Sequence, residues 1–294
     1  MKRVGVVIPA YNAASTLEAT IASVLKQTQP PAEVLVVDDG SDDATPQIAR
    51  ECGPPVVCVS TPNRGVAAAR NTGIAQSRGE FVAFLDADDL WEPMKLELQV
   101  KMLDASPGAR MSTTAMRRVD EERRDLGVTS IGAYSDACEA LLLGSMVLGP
   151  VSSALVQRDF LDELGGFDTR FSQCADWDLF LRAALRTRFA IVKETLVVYR
   201  STGENMSANI GLLERDTLDV LAKFFATAPS RYQQLKRKAY SNHWLILSGS
   251  YLEVGERRAA VRCLATGLRL NPANAPRALG LPVRRLRRAR SHAA

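Results

Sequence analysis

Over about its first hundred residues this chain alternates short runs of β-branched residues with segments whose apolar positions recur at helical spacing. That alternation restricts it to a mostly parallel sheet covered by helices. The runs at 4–8, 34–37, 56–59 and 81–85 read as four strands. Between the first two, Leu17, Ile21, Val24 and Leu25 make one apolar helix face, opened by Ser15 with Glu18 as a capping box and stopped before Pro30-Pro31. Residues 45–51 and 66–76 give two further helices. From about Met111 to Tyr199 the pattern is mixed, with a helix over 135–143, a strand over 152–156 and a helix after Trp177. Beyond Ser207 it is helical, and the stretch from Tyr251 through Gly255 and Ala260 to Leu268 resembles a single tetratricopeptide-like hairpin, one unit and not an array. The expected division is 1–110, 111–207 and 208–294.

A chain of 294 residues with 46% apolar content can bury a sizeable core. Its five cysteines, Cys52, Cys58, Cys138, Cys174 and Cys263, are odd in number and contain no C-x-x-C pair, which argues against a disulfide framework or a zinc site and fits a reducing compartment. Met1-Lys2-Arg3 runs straight into a short apolar strand, not the longer apolar region of a signal peptide, so a cytoplasmic location is expected. The uncharged stretch 140–156 is interrupted by Gly144, Ser145, Gly149 and Pro150 and reads as a helix end, a loop and a buried strand, not a membrane span. The net charge of +4 hides an asymmetry, because Arg257 to the end holds ten arginines and no acidic residue. Such a tail is either a solvated basic segment or a contact with anionic lipid at the inner face of the membrane; nucleic acid is not the expected partner.

In an open α/β sheet, ligands bind beyond the carboxyl ends of the strands. Here the first strand ends in Pro9-Ala-Tyr11-Asn12, the second in Asp38-Asp39-Gly40-Ser41 and the fourth in Asp86-Ala87-Asp88-Asp89. Five aspartates at one sheet edge repel one another unless hydrogen-bond donors or a cation offset their charge. An Asp-x-Asp after a buried strand suits a hard divalent cation, Mn²⁺ or Mg²⁺, with coordination positions left for diphosphate oxygens. The competing reading makes Asp88 or Asp89 the cap of a helix beginning near Trp91-Glu-Pro93. G-x-G-x-x-G after the first strand and G-x-x-x-x-G-K-[ST] are both absent, which excludes NAD binding and P-loop chemistry of the usual kind.

Four segments in order, Val6-Val-Ile-Pro-Ala-Tyr-Asn12, Val36-Val-Asp-Asp-Gly-Ser41, Asn63-Arg-Gly65 with Ala69-Arg-Asn-Thr-Gly73, and Phe84-Leu-Asp-Ala-Asp-Asp89, resemble the family 2 glycosyltransferases. The likeness continues more weakly through Gly165-Gly-Phe-Asp168 and Ala175-Asp-Trp-Asp-Leu179 to about Ser207. It implies a GT-A fold: an α/β, Rossmann-like, mostly parallel sheet flanked by helices, with a nucleotide-sugar half over 1–110, an acceptor half over 111–207 and a helical extension over 208–294. It also implies inverting transfer of a sugar from a nucleotide-diphosphate donor, expected to be a UDP-sugar, to a saccharide, lipid-linked or protein acceptor in the synthesis of cell-surface polysaccharide or glycoconjugate. On this likeness Pro9 and Tyr11 line the nucleotide, with the Tyr11 ring on the base, and Asp39 accepts a hydrogen bond from it. Arg70 lies near the nucleotide, Asp86 contacts ribose or metal, and Asp88 is the direct metal ligand. The alternatives are a packed core tyrosine at position 11 and an exposed helix arginine at position 70.

Inversion requires a carboxylate to take the proton of the attacking hydroxyl, and Asp176 matches the family's base. The family usually writes Glu-Asp at this point, whereas this chain has Ala175-Asp176, and Asp176 could alternatively cap the helix that follows. A second departure is Thr202, where relatives often carry a histidine that helps hold metal or diphosphate. These two departures keep open a non-enzymatic alternative, a nucleotide-sugar-binding scaffold. A sugar-nucleotide pyrophosphorylase is disfavoured by Ala10-Tyr-Asn-Ala-Ala14, which lacks the glycine- and basic-rich loop expected there.

Overall fold

Seven buried residues, Val4–Ala10, form the central strand β1. It pairs in parallel with β2 (Glu33–Asp38) on one side and β4 (Phe81–Phe84) on the other, and β2 pairs in parallel with β3 (Val56–Ser60). Strands buried on both faces need helical cover, which α1 (Leu17–Leu25), α2 (Thr45–Glu51) and α3 (Val66–Gln76) provide in the crossovers. The chain continues through β5 (Leu90–Trp91), α4 (Lys95–Asp104), β6 (Met111–Val119), β7 (Asp125–Thr129), α5 (Ala137–Leu142), a 3₁₀ turn at Val151–Ser153, β8 (Leu155–Gln157), α6 (Arg158–Leu164), α7 (Ala175–Ala184) and β9 (Phe189–Arg200). The strand order is β3-β2-β1-β4-β8-β6-β9-β5, and β7 pairs antiparallel with the later part of β6, beyond the residues that pair with β8. Beyond β4 the pairing is mixed, since β8 runs antiparallel to both β4 and β6.

This computed structural model describes residues 2–120, 122–129, 131–132, 134–144, 150–200, 209–276 and 278. The chain divides into one unit of Met1–Ala137 with Met146–Gly203 and a second of Cys138–Ser145 with Glu204–Ala294. The first is the α/β sheet with its helices, the fold expected from the sequence, and its core is the apolar lining of the central strands with Leu17, Ile21 and Leu96. Two local expectations give way. Helix α1 starts at Leu17 behind Thr16, with no side-chain cap, so Ser15 and Glu18 form no capping box. Ser152 and Ser153 belong to the 3₁₀ turn that precedes β8, not to the strand; their hydroxyls are engaged in side-chain bonds that an extended ladder does not make.

The second unit consists of α8 (Ile210–Thr227), α9 (Ser230–Gln233), α10 (Lys236–Glu253) and α11 (Arg257–Leu270) together with most of α5. Helices α10 and α11 form the hairpin expected around Gly255, whose φ of +84° suits glycine at the turn. Ser241 and Ser248 of α10 donate to the carbonyls of Gly267 and Ala260, and Asn242 and His243 bond the Leu143 and Leu142 carbonyls at the end of α5. Among the described residues no helix is long and apolar enough to cross a membrane. Thr202 and the arginines from 284 onward lie outside the described residues.

Helix α3 is seated on β1 by Gly73. A Cβ there would fall 2.3 Å from Val7 Cγ1, so the close helix–strand approach depends on the missing side chain. That packing brings the N-terminal half of α3, with Arg70, to the carboxyl edge of the sheet.

Candidate active site

Because β1, β2 and β4 run parallel, the segments that follow them leave the sheet at the same edge. Ala10 pairs with Asp38 across β1 and β2, and the Asp39 N–H donates to the Ala10 carbonyl at 2.8 Å. Pro9 is buried within β1, and Tyr11 beyond it is 52% exposed, which rules out a core tyrosine and leaves an aromatic face available to a ligand. Asn12 (φ +48°) joins the two loops, since its N–H donates to Ser41 Oγ at 2.9 Å and its side-chain oxygen accepts from the Asp42 N–H at 3.0 Å.

The five aspartates have different surroundings. Asp38 Oδ1 accepts from the Ser41 N–H at 3.0 Å. The buried Asp39 carboxylate accepts at Oδ1 from the Arg64 N–H (3.0 Å) and the Thr61 hydroxyl (3.4 Å) and at Oδ2 from the Gly65 N–H (2.7 Å), tying the second loop to the start of α3; Oδ2 keeps lone-pair capacity for a further donor. Asp86 takes an ion pair from Arg70, Nη2 to Oδ1 at 2.6 Å, and Arg70 is only 6% exposed, so it is no surface helix arginine. Asp89 is fully buried and accepts from Ser152 Oγ at 2.6 Å and from the Arg200 N–H at 3.2 Å. Neither Asp88 nor Asp89 caps the next helix, which begins at Lys95 behind Met94.

Asp88 remains. Among the described residues its carboxylate receives no hydrogen bond from another residue, and it is partly exposed at the edge where the three loops meet. Burial, and then the negative charge of Asp86, push its pKa up to about 6. Burial likewise raises Asp89 well above the ordinary carboxylate range.

Arg70 is held from behind by a second motif. Its guanidinium carbon lies 5.3 Å from the centroid of the Phe167 ring, and Phe167 packs edge-on against Phe84 at 5.2 Å. Asn71 fixes Phe167 through both main-chain groups: its amide donates to the Phe167 carbonyl at 2.8 Å, and its side-chain oxygen accepts from the Phe167 N–H at 2.8 Å. Gly166 (φ +67°) precedes Phe167, where a Cβ would fall 2.5 Å from Asn71 Oδ1. Hydrogen bonds that need a bare backbone therefore join the Ala69–Gly73 and Gly165–Asp168 motifs.

Asp176 sits in the first turn of α7, whose N-cap position belongs to Cys174, so Asp176 is not the cap. Its Oδ1 accepts from the Trp177 N–H at 2.7 Å. Its pKa is raised, chiefly by burial, with Arg70 opposing the shift and Asp86 adding to it. These couplings bring Asp176, Arg70 and Asp86 into one electrostatic cluster. Ala175 beside it is fully buried.

Three contributors were not singled out from the sequence. Thr20 Oγ1 donates to the Ala87 carbonyl at 2.8 Å and sits 3.0 Å from the Asp89 carbonyl. Arg200, at the end of β9, donates to the Asp88 carbonyl and to Thr20 Oγ1. Ser152 takes part through Asp86 and Asp89. Each is a common residue type with no local pattern, and only the tertiary fold brings them under the Asp86–Asp89 loop.

Among the described residues no group of three or more His, Cys, Asp or Glu side chains could by itself hold a metal ion. The donor set on offer is Asp88, open, with Asp86 beside it. That suits a hard cation completing its shell with diphosphate oxygens and water, not one held in an all-protein cage.

The sequence pattern described as Glycosyl transferase family 2 matches residues 5–165. The chain belongs to this family. Over 102 residues it is 43% identical to the UDP-Glc:alpha-D-GlcNAc-diphosphoundecaprenol beta-1,3-glucosyltransferase WfgD of Escherichia coli, a match that spans 34% of this chain and 40% of WfgD. In fold it is similar to S. aureus TarS 1-349 in complex with UDP-GlcNAc, with a TM-score of 0.57 at 16% identity over 90% of each chain. It is also similar to the mannosyltransferase PcManGT from Pyrobaculum calidifontis in complex with GDP-Man and Mn²⁺, with a TM-score of 0.61 at 22% identity over 96% of this chain and 79% of that one. These structural likenesses establish the GT-A fold.

The Asn71 joint gives a direct check on the glycosyltransferase scaffold. Asn71→Ala leaves two buried main-chain groups of Phe167 without partners and is expected to lower unfolding free energy by about 1–3 kcal/mol in urea denaturation. An unchanged midpoint would mean that the two motifs are not joined as described.

Proposed function

We propose that the chain transfers a sugar from a nucleotide-diphosphate donor, a UDP-sugar by preference, to an acceptor hydroxyl with inversion, in the synthesis of a cell-surface polysaccharide or glycoconjugate. The observation that carries this reading is the meeting, at one sheet edge, of an exposed aromatic ring (Tyr11), an open carboxylate (Asp88), a buried ion pair (Arg70 with Asp86) and a carboxylate of raised pKa (Asp176). The UDP preference and the lipid-linked class of acceptor are supported by the likeness to WfgD, whose name specifies both for that protein.

In this reading the Tyr11 face stacks on the base, Pro9 shapes the floor beneath it, and Asp39 accepts from the base at Oδ2. Asp86 meets the ribose or shares the cation with Asp88. Arg70 offsets the carboxylate charge so that a diphosphate can approach. Asp176 accepts the proton of the acceptor hydroxyl as that oxygen bonds the anomeric carbon from the face opposite the diphosphate; the bond from that carbon to the diphosphate oxygen breaks, and the nucleoside diphosphate departs with the electron pair. A divalent cation, Mn²⁺ or Mg²⁺, held by Asp88 and Asp86 with the diphosphate, would supply positive charge to the leaving group.

We further propose peripheral contact with an anionic membrane through the C-terminal region. Residues 220–294 hold fifteen Lys and Arg against two acidic residues, Glu253 and Glu256. Exposed Lys236, Arg237 and Lys238 open α10, and Arg269 lies near the end of α11.

Two outcomes are expected. Asp176→Asn abolishes sugar transfer while nucleotide affinity by calorimetry stays near the wild-type value, and the acid limb of the wild-type kcat/KM profile lies above the ordinary aspartate range, because a base of raised pKa loses activity by protonation earlier as pH falls. Turnover retained in the variant would remove Asp176 from the reaction. Vesicles containing anionic lipid should capture the full chain, less so as salt rises; capture that is absent, or indifferent to salt, would end the membrane proposal.

A further inference from the structure

The carboxylates at the site are carried on a four-residue turn, Asp86–Asp89, that no regular element holds. Thr20 and Arg200 hold its carbonyls from beneath, and one buried hydroxyl, that of Ser152, bonds both the main-chain N–H at its start and the carboxylate at its end. Ser152 Oγ accepts from the Asp86 N–H at 3.1 Å and donates to Asp89 Oδ2 at 2.6 Å, so it meets both the first and the last residue of the turn. Ser152 and Asp89 are both fully buried. A hydroxyl can do this because it is donor and acceptor at once.

The residues behind Ser152 are fixed in turn. Trp91 Nε1 donates to the Ser152 carbonyl at 2.9 Å, Gln99 Nε2 donates to the Ser153 carbonyl at 2.9 Å, and Ser153 Oγ lies 3.0 Å from Thr113 Oγ1. Lys95 covers the far side of Trp91, its Nζ 3.8 Å from the ring centroid, and is itself fully buried. The 3₁₀ turn at Val151–Ser153 is thus anchored by β6, α4 and the Trp91 ring, and it presents one hydroxyl forward.

We propose that Ser152 is the positioning residue of the transfer site: its hydroxyl sets the spacing of the Asp86–Asp89 turn and so presents the Asp86 and Asp88 carboxylates together toward the cation and diphosphate. This rests on the reading of Asp88 and Asp86 as the cation's ligands. Without the hydroxyl the Asp86 N–H and the buried Asp89 carboxylate both lose a partner, and the turn can relax while Tyr11 and Asp39, on other loops, keep their places.

The test is calorimetric titration of the full chain with UDP, with Mn²⁺ and with a chelator, on wild type, Ser152→Ala and Ser152→Cys. The wild type is expected to bind UDP more tightly with Mn²⁺. Ser152→Ala is expected to lose about tenfold of the Mn²⁺-dependent affinity, the scale of one lost buried hydrogen bond, with UDP affinity in chelator unchanged. Ser152→Cys retains the volume with a weaker donor and should fall between the two; it also serves if the alanine variant does not fold. A purely structural serine would lower the thermal midpoint and both affinities in parallel, and that result, or a Mn²⁺ increment equal to wild type in the variants, overturns the proposal. A wild type with no Mn²⁺ increment would overturn the cation reading itself, and the positioning role with it.

Discussion

The structure is governed by charge crowding: five carboxylates converge on one edge of a parallel sheet, and each needs a compensating partner. Main-chain N–H groups satisfy Asp38 and Asp39, a buried guanidinium satisfies Asp86, and a serine hydroxyl with the Arg200 N–H satisfies Asp89. Asp88 accepts no hydrogen bond from another described residue; burial and then Asp86 raise the free energy of its charged form, and the charges of Arg200 and Arg70 oppose that rise only in part. A carboxylate compensated only in part, beside a paired one, is predisposed to take a cation and whatever anion the cation brings.

The supporting residues follow from the same constraint. Arg70 can neutralise Asp86 only if α3 lies close on β1, which Gly73 permits, and only if the buried guanidinium has a surface to rest on, which Phe167 provides. Phe167 in turn depends on Asn71 and on a glycine at 166. The motifs that recur along this chain are therefore linked by packing around one ion pair, and a change in any of them acts on the charge at the sheet edge.

The fold of the first hundred residues was legible because runs such as Val34–Val37 have one interpretation when they alternate with helical faces and end in Gly, Pro and Asp. The sheet edge was legible for the same reason, since parallel strands must release Asp38, Asp39, Asp86 and Asp88 on one side. What could not be read was the support beneath. Ser152, Thr20 and Arg200 act through single hydroxyls and N–H groups across sequence separations that no periodicity reports, and the serine pair at 152–153 resembled a strand because small residues at an apolar run's edge carry no turn signal. The capping alternatives for Asp89 and Asp176 were local readings: Ser152 and the Arg200 N–H take the Asp89 carboxylate, while Asp176 stays in the first turn of α7 on the Trp177 N–H, past the N-cap position at Cys174. Thr202 and the arginine-rich tail beyond 279 lie outside the described residues.

The central claim is that the carboxyl edge of β1, β2 and β4 is where the nucleotide and its cation are held. A crystal structure of the protein grown with UDP and Mn²⁺ tests this most directly. The account predicts the uracil ring on the face of Tyr11 within reach of Asp39, the diphosphate beside Arg70, and anomalous scattering from one Mn²⁺ between Asp88 and the phosphates. Nucleotide bound away from these three strand ends, or Mn²⁺ bound without Asp88, would contradict it.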